Sequence, residues 1–140
     1  MNNSLLEVNN DMRILLSEGD TPYVINAELT RVGDDLVCII TGGTHPHIGA
    51  VAFAEPAISA HPVTGVMIER GSEPFVRTLV GDGHKDALPA EMFAKALCLH
   101  YDVNVVCTSG IHVDNATQEE IGIMLKNLTG LLEKLLESNI

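Results

Sequence analysis

The chain has 140 residues, of which 46% are apolar, and its 19 acidic and 8 basic residues give a formal net charge of −11. This length and composition predict one globular domain spanning residues 1–140 and argue against a disordered chain. The negative charge argues against binding to nucleic acid or anionic lipid, and no apolar run reaches the roughly 18–20 residues that span a bilayer.

The first twenty residues have an ambiguous pattern, typical of a short helix, a strand or a loosely ordered segment. They lack the basic start and apolar run of a signal peptide, so we expect a cytoplasmic protein. The three cysteines, Cys38, Cys98 and Cys107, form no C-x-x-C pair and have apolar neighbours. Buried, reduced thiols explain them better than a catalytic thiol does.

Residues 22–41 predict a β-hairpin. Apolar and more polar side chains alternate over 22–30, which indicates a strand buried on one face. Residues 32–35 have turn chemistry, and the apolar run over 36–41 predicts the second strand.

Residues 49–56 predict a third strand or an extended segment that ends at a proline. We expect a loop over 58–62 and two further short strands over 63–70 and 74–80.

A helix is predicted after residues 81–86, with Asp86 as its N-cap and Pro89 in its first turn. Its apolar stripe is expected at Leu88, Met92, Phe93, Ala96, Leu97 and His100. Residues 103–108 then form a nearly all-apolar segment, which predicts a strand buried on both faces.

The capping box of Thr117 and Glu120 opens a last helix, whose leucines recur at helical spacing to residue 136. This stripe predicts a core face or a dimer seam. The element order predicts an α+β fold, with a mainly antiparallel sheet and two helices packed on it.

Three predicted loops, over 41–49, 81–86 and 109–115, share one plan. Each follows a predicted strand and contains glycine and histidine. Loops at strand ends can meet in space, so we expect one site lined by imidazoles and backbone amides. The histidines of these loops are His45, His47, His84 and His112.

Three kinds of chemistry fit this pattern. A metal such as zinc would take ligands from His45, His47, His84, His112 and Asp114. An anion such as phosphate would take glycine amides and Lys85, close to helix starts at Asp86 and Thr117. A structural role alone is the third possibility. No Ser-His-Asp or Cys-His arrangement can be argued, so no catalytic residue is assigned.

The stretch GGTHPHIGAVA, followed by GHKD and then GIHVDNAT, resembles the LpdD-like prenylated flavin chaperone family. Members are small D-type accessory subunits of gallate-type UbiD decarboxylases. The resemblance covers about residues 20–140, and no motif is recognised between residues 63 and 80.

The resemblance implies a proteasome-assembly-chaperone-like fold, often homodimeric, and a non-catalytic role. Such a protein would bind prenylated FMN and help mature or deliver it to a UbiD-type (de)carboxylase. The cofactor-binding residues implied are Gly42, Gly43, Thr44, His45, His47, Gly49, His84 and Lys85. Low aromatic content is in tension with flavin stacking, for which Tyr23 and Phe53 are the main candidates.

Two rival functions stay open at this stage. One is a small metal-dependent, hydrolase-like enzyme that uses the same histidines with Asp114 or Asp82. The other is an assembly factor without a ligand, in which the last helix associates through residues such as Leu128.

Overall fold

The structure is a computed structural model that describes residues 13–61, 63–82 and 85–138. In chain order its elements are β1 (Arg13–Glu18), β2 (Ile25–Val32), β3 (Asp35–Gly43), β4 (Ala50–Glu55), β5 (Ile58–Ala60), β6 (Met67–Glu69), β7 (Phe75–Val80), α1 (Ala87–Tyr101), β8 (Val105–His112) and α2 (Gln118–Leu136). The pattern of the first twelve residues lies outside the described part of the chain.

Six strands form the main sheet, in the order β1-β2-β3-β8-β4-β7. Neighbours pair antiparallel except β3 and β8, which run parallel. The predicted hairpin over residues 22–41 is confirmed as β2 and β3. The predicted α+β class with a mainly antiparallel sheet is confirmed as well.

Strand register explains why the core lies on one face of the sheet. Ala27, Ile40, Ser109 and Ala50 are successive partners across four strands, and all four are buried. α1 packs on β4, β7 and β8, while α2 packs on β1 and β2. No helix of the described chain covers the other face, where Leu15, Ile39, Phe75 and Leu79 are exposed.

The structure differs from the prediction in two strands. Ile58–Ala60 is a strand and not a loop, because it pairs with Met67–Glu69 in a separate two-stranded sheet. β8 continues to His112, which lies opposite Gly43 on β3. The third predicted loop therefore starts at residue 113 and not at 109.

The buried face of α1 is made of smaller side chains than the predicted stripe. Phe93 and Leu97 are buried as predicted, but Leu88 is 58% exposed. The other buried positions of α1 are Pro89, Ala90, Ala94 and Cys98. Small residues let this helix approach the alanines of β4 closely, so side-chain size was a misleading guide to its orientation.

The predicted capping box of α2 is confirmed. The Thr117 hydroxyl accepts the Glu120 N–H at 3.1 Å, and the Glu120 carboxylate accepts the Thr117 N–H at 3.0 Å. The Thr117 N–H bond and the Tyr23 hydroxyl lower the pKa of Glu120, and the bond to Glu120 raises the pKa of Tyr23.

The leucine stripe of α2 belongs to the core. Leu128, Leu131 and Leu135 are almost fully buried against the sheet. An association surface centred on Leu128 is therefore wrong, since that side chain is not available to a partner. Within the described residues, neither helix is long and apolar enough to cross a membrane.

All three cysteines are buried, as predicted, and are free thiols. Burial raises the pKa of Cys98 to about 11. The hydrogen bond that the Cys107 thiol makes to Cys38, together with burial, raises the pKa of Cys107 well above its ordinary value.

We therefore expect the folded protein to resist thiol-specific reagents at pH 8, because all three thiols are buried and the raised pKa values of Cys98 and Cys107 make their reactive thiolate forms scarce. With a disulfide reagent, less than about a tenth of one thiol per chain should react within minutes in the folded protein. All three thiols should react after urea is added. Rapid modification of a thiol in the folded chain would contradict the assignment.

Candidate functional site

The sheet order brings three loops to one edge. β3 and β8 are parallel, so both end there, with Gly43 opposite His112. β4 begins and β7 ends at the same edge, where Ala50 pairs with Val80. The segments 44–49, 81–86 and 113–117 leave from this edge, and we call it the histidine edge.

The first loop crosses over the end of β8, because β3 and β4 lie on opposite sides of that strand. On the way, the Thr44 N–H donates to the His112 carbonyl and the Gly49 N–H donates to the Ser109 carbonyl, both at 2.8 Å. A Cβ at Gly110 would overlap the His47 carbonyl. The crossing therefore needs glycine beneath it.

The glycine amides of the first loop are already used by the fold. The Gly43 N–H donates to the Val24 carbonyl at 3.1 Å, and those of Thr44 and Gly49 are bonded as above. Gly43 also has a φ of +73°, which favours glycine. These positions serve close packing, so any anion contact in this loop falls mainly to side chains.

His47 and Asp86 form a cross-link beneath the loops. His47 Nδ1 lies 2.8 Å from the His45 carbonyl oxygen, and its Nε2 lies 3.1 Å from Asp86 Oδ2. Both ring nitrogens of His47 are therefore engaged by oxygen atoms of the fold. In this arrangement neither nitrogen offers a lone pair to a metal.

Asp86 is a site residue that sequence reasoning identified only as a helix N-cap. Its side chain makes no capping bond to α1. It is 5% exposed, and its Oδ1 accepts the Ile111 N–H at 3.0 Å. Asp86 is the N-cap residue of α1, as predicted, but its carboxylate does not cap the helix because it turns toward His47 and β8, partners that no local sequence signal indicates.

A second group of side chains lies on the solvent side of the loops. His45, His112 and Asp114 are exposed, and one ligand atom from each lies within 4.8 Å of the others. His112 Nε2 is 2.8 Å from Asp114 Oδ1, and His45 Nδ1 is 2.9 Å from the Thr44 hydroxyl. We call these three residues the outer cluster.

The remaining predicted residues are distributed as follows. Lys85 is exposed and immediately precedes Asp86, whereas His84 lies outside the described residues. His61 accepts backbone N–H groups in the β5–β6 connection, and His100 contacts the Tyr101 ring. Neither of these two histidines belongs to the histidine edge.

The two residues predicted to stack on a flavin, Tyr23 and Phe53, make other contacts in the structure. The Tyr23 hydroxyl donates to Glu120 at 2.8 Å. Phe53 lies on the uncovered face of the sheet, with the Arg77 guanidinium 5.4 Å from its ring centroid. The rings at this edge are instead imidazoles: the His112 ring centroid lies 5.5 Å from that of His45 and 6.5 Å from that of His47.

The crossing loop predicts opposite effects for two glycine substitutions. Gly110→Ala should lower the free energy of unfolding by about 3 kcal/mol, because a backbone carbonyl occupies the space of the new methyl group. Gly122→Ala in α2 meets no neighbouring atom and should raise it by about 0.5–1 kcal/mol. Urea unfolding followed by circular dichroism measures both, and equal stabilities would contradict the crossing geometry.

The cross-link predicts that Asp86→Ala lowers the free energy of unfolding by about 3 kcal/mol, since His47 and the Ile111 N–H lose a buried acceptor. The matched control is Asp82→Ala, an exposed carboxylate in the same loop, which should change it by less than about 0.5 kcal/mol. Chemical denaturation of the two variants measures both changes. An unchanged free energy of unfolding in Asp86→Ala would contradict a stabilising His47–Asp86 cross-link.

Comparisons with known proteins show the family and the fold of this chain. The family model described as a prenylated flavin chaperone LpdD-like domain matches residues 19–139. Protein LpdD of Lactiplantibacillus plantarum is 34% identical over 101 residues, covering 71% of this chain and 65% of that protein. The match thus spans slightly less than two thirds of the relative's length.

A solved structure described as a novel chaperone complex for yeast 20S proteasome assembly shares the fold. Its chain superimposes with a TM-score of 0.53 and 12% identity, covering 89% of this chain and 91% of that one. This confirms the predicted proteasome-assembly-chaperone-like fold. Since the family model spans nearly the whole chain, the protein belongs to the LpdD-like prenylated flavin chaperone domain family.

Proposed function

We propose that this chain is a non-catalytic accessory protein that binds prenylated FMN at the histidine edge and supplies it to a UbiD-type (de)carboxylase. One observation carries the proposal: described residues of the three motifs that resemble the family meet at a single edge of the sheet, where the His45 ring contacts the His112 ring and His47 is bonded to Asp86. If these motifs served only to form turns, their histidine side chains would not need to lie close together.

The flavin phosphate needs positive charge and donors, which side chains at this edge can supply. Thr44, His45 and Lys85 are exposed at the histidine edge, and the His47 ring lies beside them. We assign these four residues, together with His84, to phosphate and flavin contact. Gly43 and Gly49 belong to the site through their close approach to His112 and to Asp86, whereas Gly42 leaves space for the backbone at Val24.

Exposure of the site suits delivery better than catalysis. His45, His112 and Asp114 face solvent, so a bound flavin would remain within reach of a second protein. A carrier requires this access, because it must release its cargo, whereas an enzyme gains from excluding water. The acidic surface of this chain is expected to face a basic region of its partner.

The uncovered face of the sheet supports the further proposal of a homodimer. Leu15, Ile39, Phe75 and Leu79 are exposed there among the described residues, and Arg13–Glu28 and Arg77–Glu55 ion pairs flank them. An apolar centre with a polar rim is typical of subunit interfaces. A second chain could also supply the aromatic side chains that the histidine edge lacks.

A second candidate function is a metal-dependent, hydrolase-like enzyme, favoured by the two imidazoles and one carboxylate of the outer cluster. Turnover of a phosphate or carboxylate ester by the zinc-loaded protein would support it over the carrier function.

The carrier proposal predicts that Lys85→Ala weakens binding of prenylated FMN at least about tenfold, since one charge-assisted contact to phosphate contributes roughly 1.4 kcal/mol or more. Lys95→Ala is the matched control, because Lys95 lies on α1 and pairs with Glu73, away from the histidine edge. Anaerobic fluorescence titration of the two purified variants against the parent protein gives the Kd values.

Delivery is tested separately, by adding flavin-loaded protein to a flavin-free UbiD-type decarboxylase and measuring decarboxylation. Faster activation than free prenylated FMN gives at equal concentration would support the proposal. A protein that binds no prenylated FMN, or whose cargo never activates the decarboxylase, would overturn it.

A further inference from the structure

We infer that His45, His112 and Asp114 form a site for a divalent first-row metal ion of the zinc type, with open coordination positions for an anionic oxygen. The assignment of that oxygen to the flavin phosphate rests on the proposed function. The metal site itself does not.

The distances in the outer cluster are close to those of a metal centre. Its three ligand atoms lie within 4.8 Å of one another. Ligands bound at about 2.0–2.1 Å in a tetrahedral zinc site lie about 3.3 Å apart. Because all three side chains are exposed, small rotations can close the difference without moving the sheet.

The hydrogen bonds of Thr44 select the tautomer of His45 that a metal needs. The Thr44 hydroxyl donates its one proton to the His112 carbonyl at 3.3 Å. It must therefore accept from His45 Nδ1–H, 2.9 Å away, which leaves the lone pair on Nε2. A second hydrogen bond that fixes the ring and tautomer is a usual feature of metal-binding histidines.

His112 and Asp114 provide the remaining two ligands. Their Nε2 and Oδ1 atoms are 2.8 Å apart, and they belong to the same turn after β8. A metal ion would replace the proton that these atoms share, since imidazole must be neutral to coordinate. Two imidazoles with one carboxylate are a common donor set for zinc and for other first-row metals with open positions.

His47 takes no part in this set, and the reason lies in the loop. Pro46 separates His45 from His47. His47 turns inward to Asp86, while His45 remains on the solvent side beside the His112 ring. The first loop therefore divides its two imidazoles between a structural cross-link and a metal site.

Electrostatics give the metal a role in holding an anion. The chain carries a net charge of −11, so a phosphate near it is repelled overall. A divalent ion on one carboxylate and two neutral imidazoles leaves a local net charge of +1. This charge, with open coordination positions, would attract a phosphate oxygen at the histidine edge.

The direct test is isothermal titration of chelator-treated, flavin-free protein with ZnCl₂ and MnCl₂, with metal content measured after desalting. We expect one saturable site per chain. His45→Ala and Asp114→Asn should each weaken it at least about tenfold, because each removes one of three protein ligands. His100→Ala removes an exposed imidazole outside the site and should leave binding unchanged.

Absence of a saturable site in the parent protein would overturn the inference, as would equal affinities in His45→Ala, Asp114→Asn and His100→Ala. Circular dichroism of each variant confirms that the fold is retained. If His45→Ala unfolds, Asp114→Asn, which alters one exposed side chain, still decides the result.

The link to phosphate is tested by titrating inorganic phosphate and prenylated FMN into zinc-loaded and chelated protein. We expect at least about tenfold tighter binding with metal. Equal binding of prenylated FMN with and without metal would overturn the anion role and leave the carrier function intact. Metal binding without any flavin binding would support the site and overturn the proposed function.

Discussion

The histidine edge depends on one buried carboxylate. Asp86 lies between the first loop and β8, and accepts hydrogen bonds from His47 and from the Ile111 N–H. A carboxylate at 5% exposure is tolerated only when it is paired in this way. The requirement fixes the path of the loop, and with it the need for glycine at positions 49 and 110, where a Cβ would overlap Asp86 or the loop itself.

This constraint separates the histidines of the edge into two roles. His47 is held inside by Asp86, so the loop has a fixed shape. His45 and His112 are then carried on the solvent side of a rigid support, where Thr44 and Asp114 orient their rings. Rigid placement of exposed donors suits a carrier, because the donors are ready to bind and the cargo remains accessible.

Much of the fold could be predicted from local patterns. The β2–β3 hairpin, the capping box of α2 and the burial of its leucines depend on residues a few positions apart, whose alternation or spacing is visible in the sequence. The ends of β8, the β5–β6 pairing and the face of α1 could not be predicted so well. The end of β8 is set by pairing with β3, which is distant in sequence. β5 and β6 are consecutive, but strands of three residues are too short to show alternation. For α1, the small residues of its buried face obscured which side packs on the sheet.

The sequence by itself determined which residues could carry chemistry: four histidines, a lysine and an aspartate in three glycine-containing segments, in an acidic chain with few aromatic rings. Tertiary structure alone decided how they divide. Asp86 is 39 residues from His47 and 25 from Ile111, and His45 is 67 from His112. Sequence patterns report interactions along the chain, whereas hydrogen bonds between loops depend on strand order, and the insertion of β8 between β3 and β4 brought these residues together.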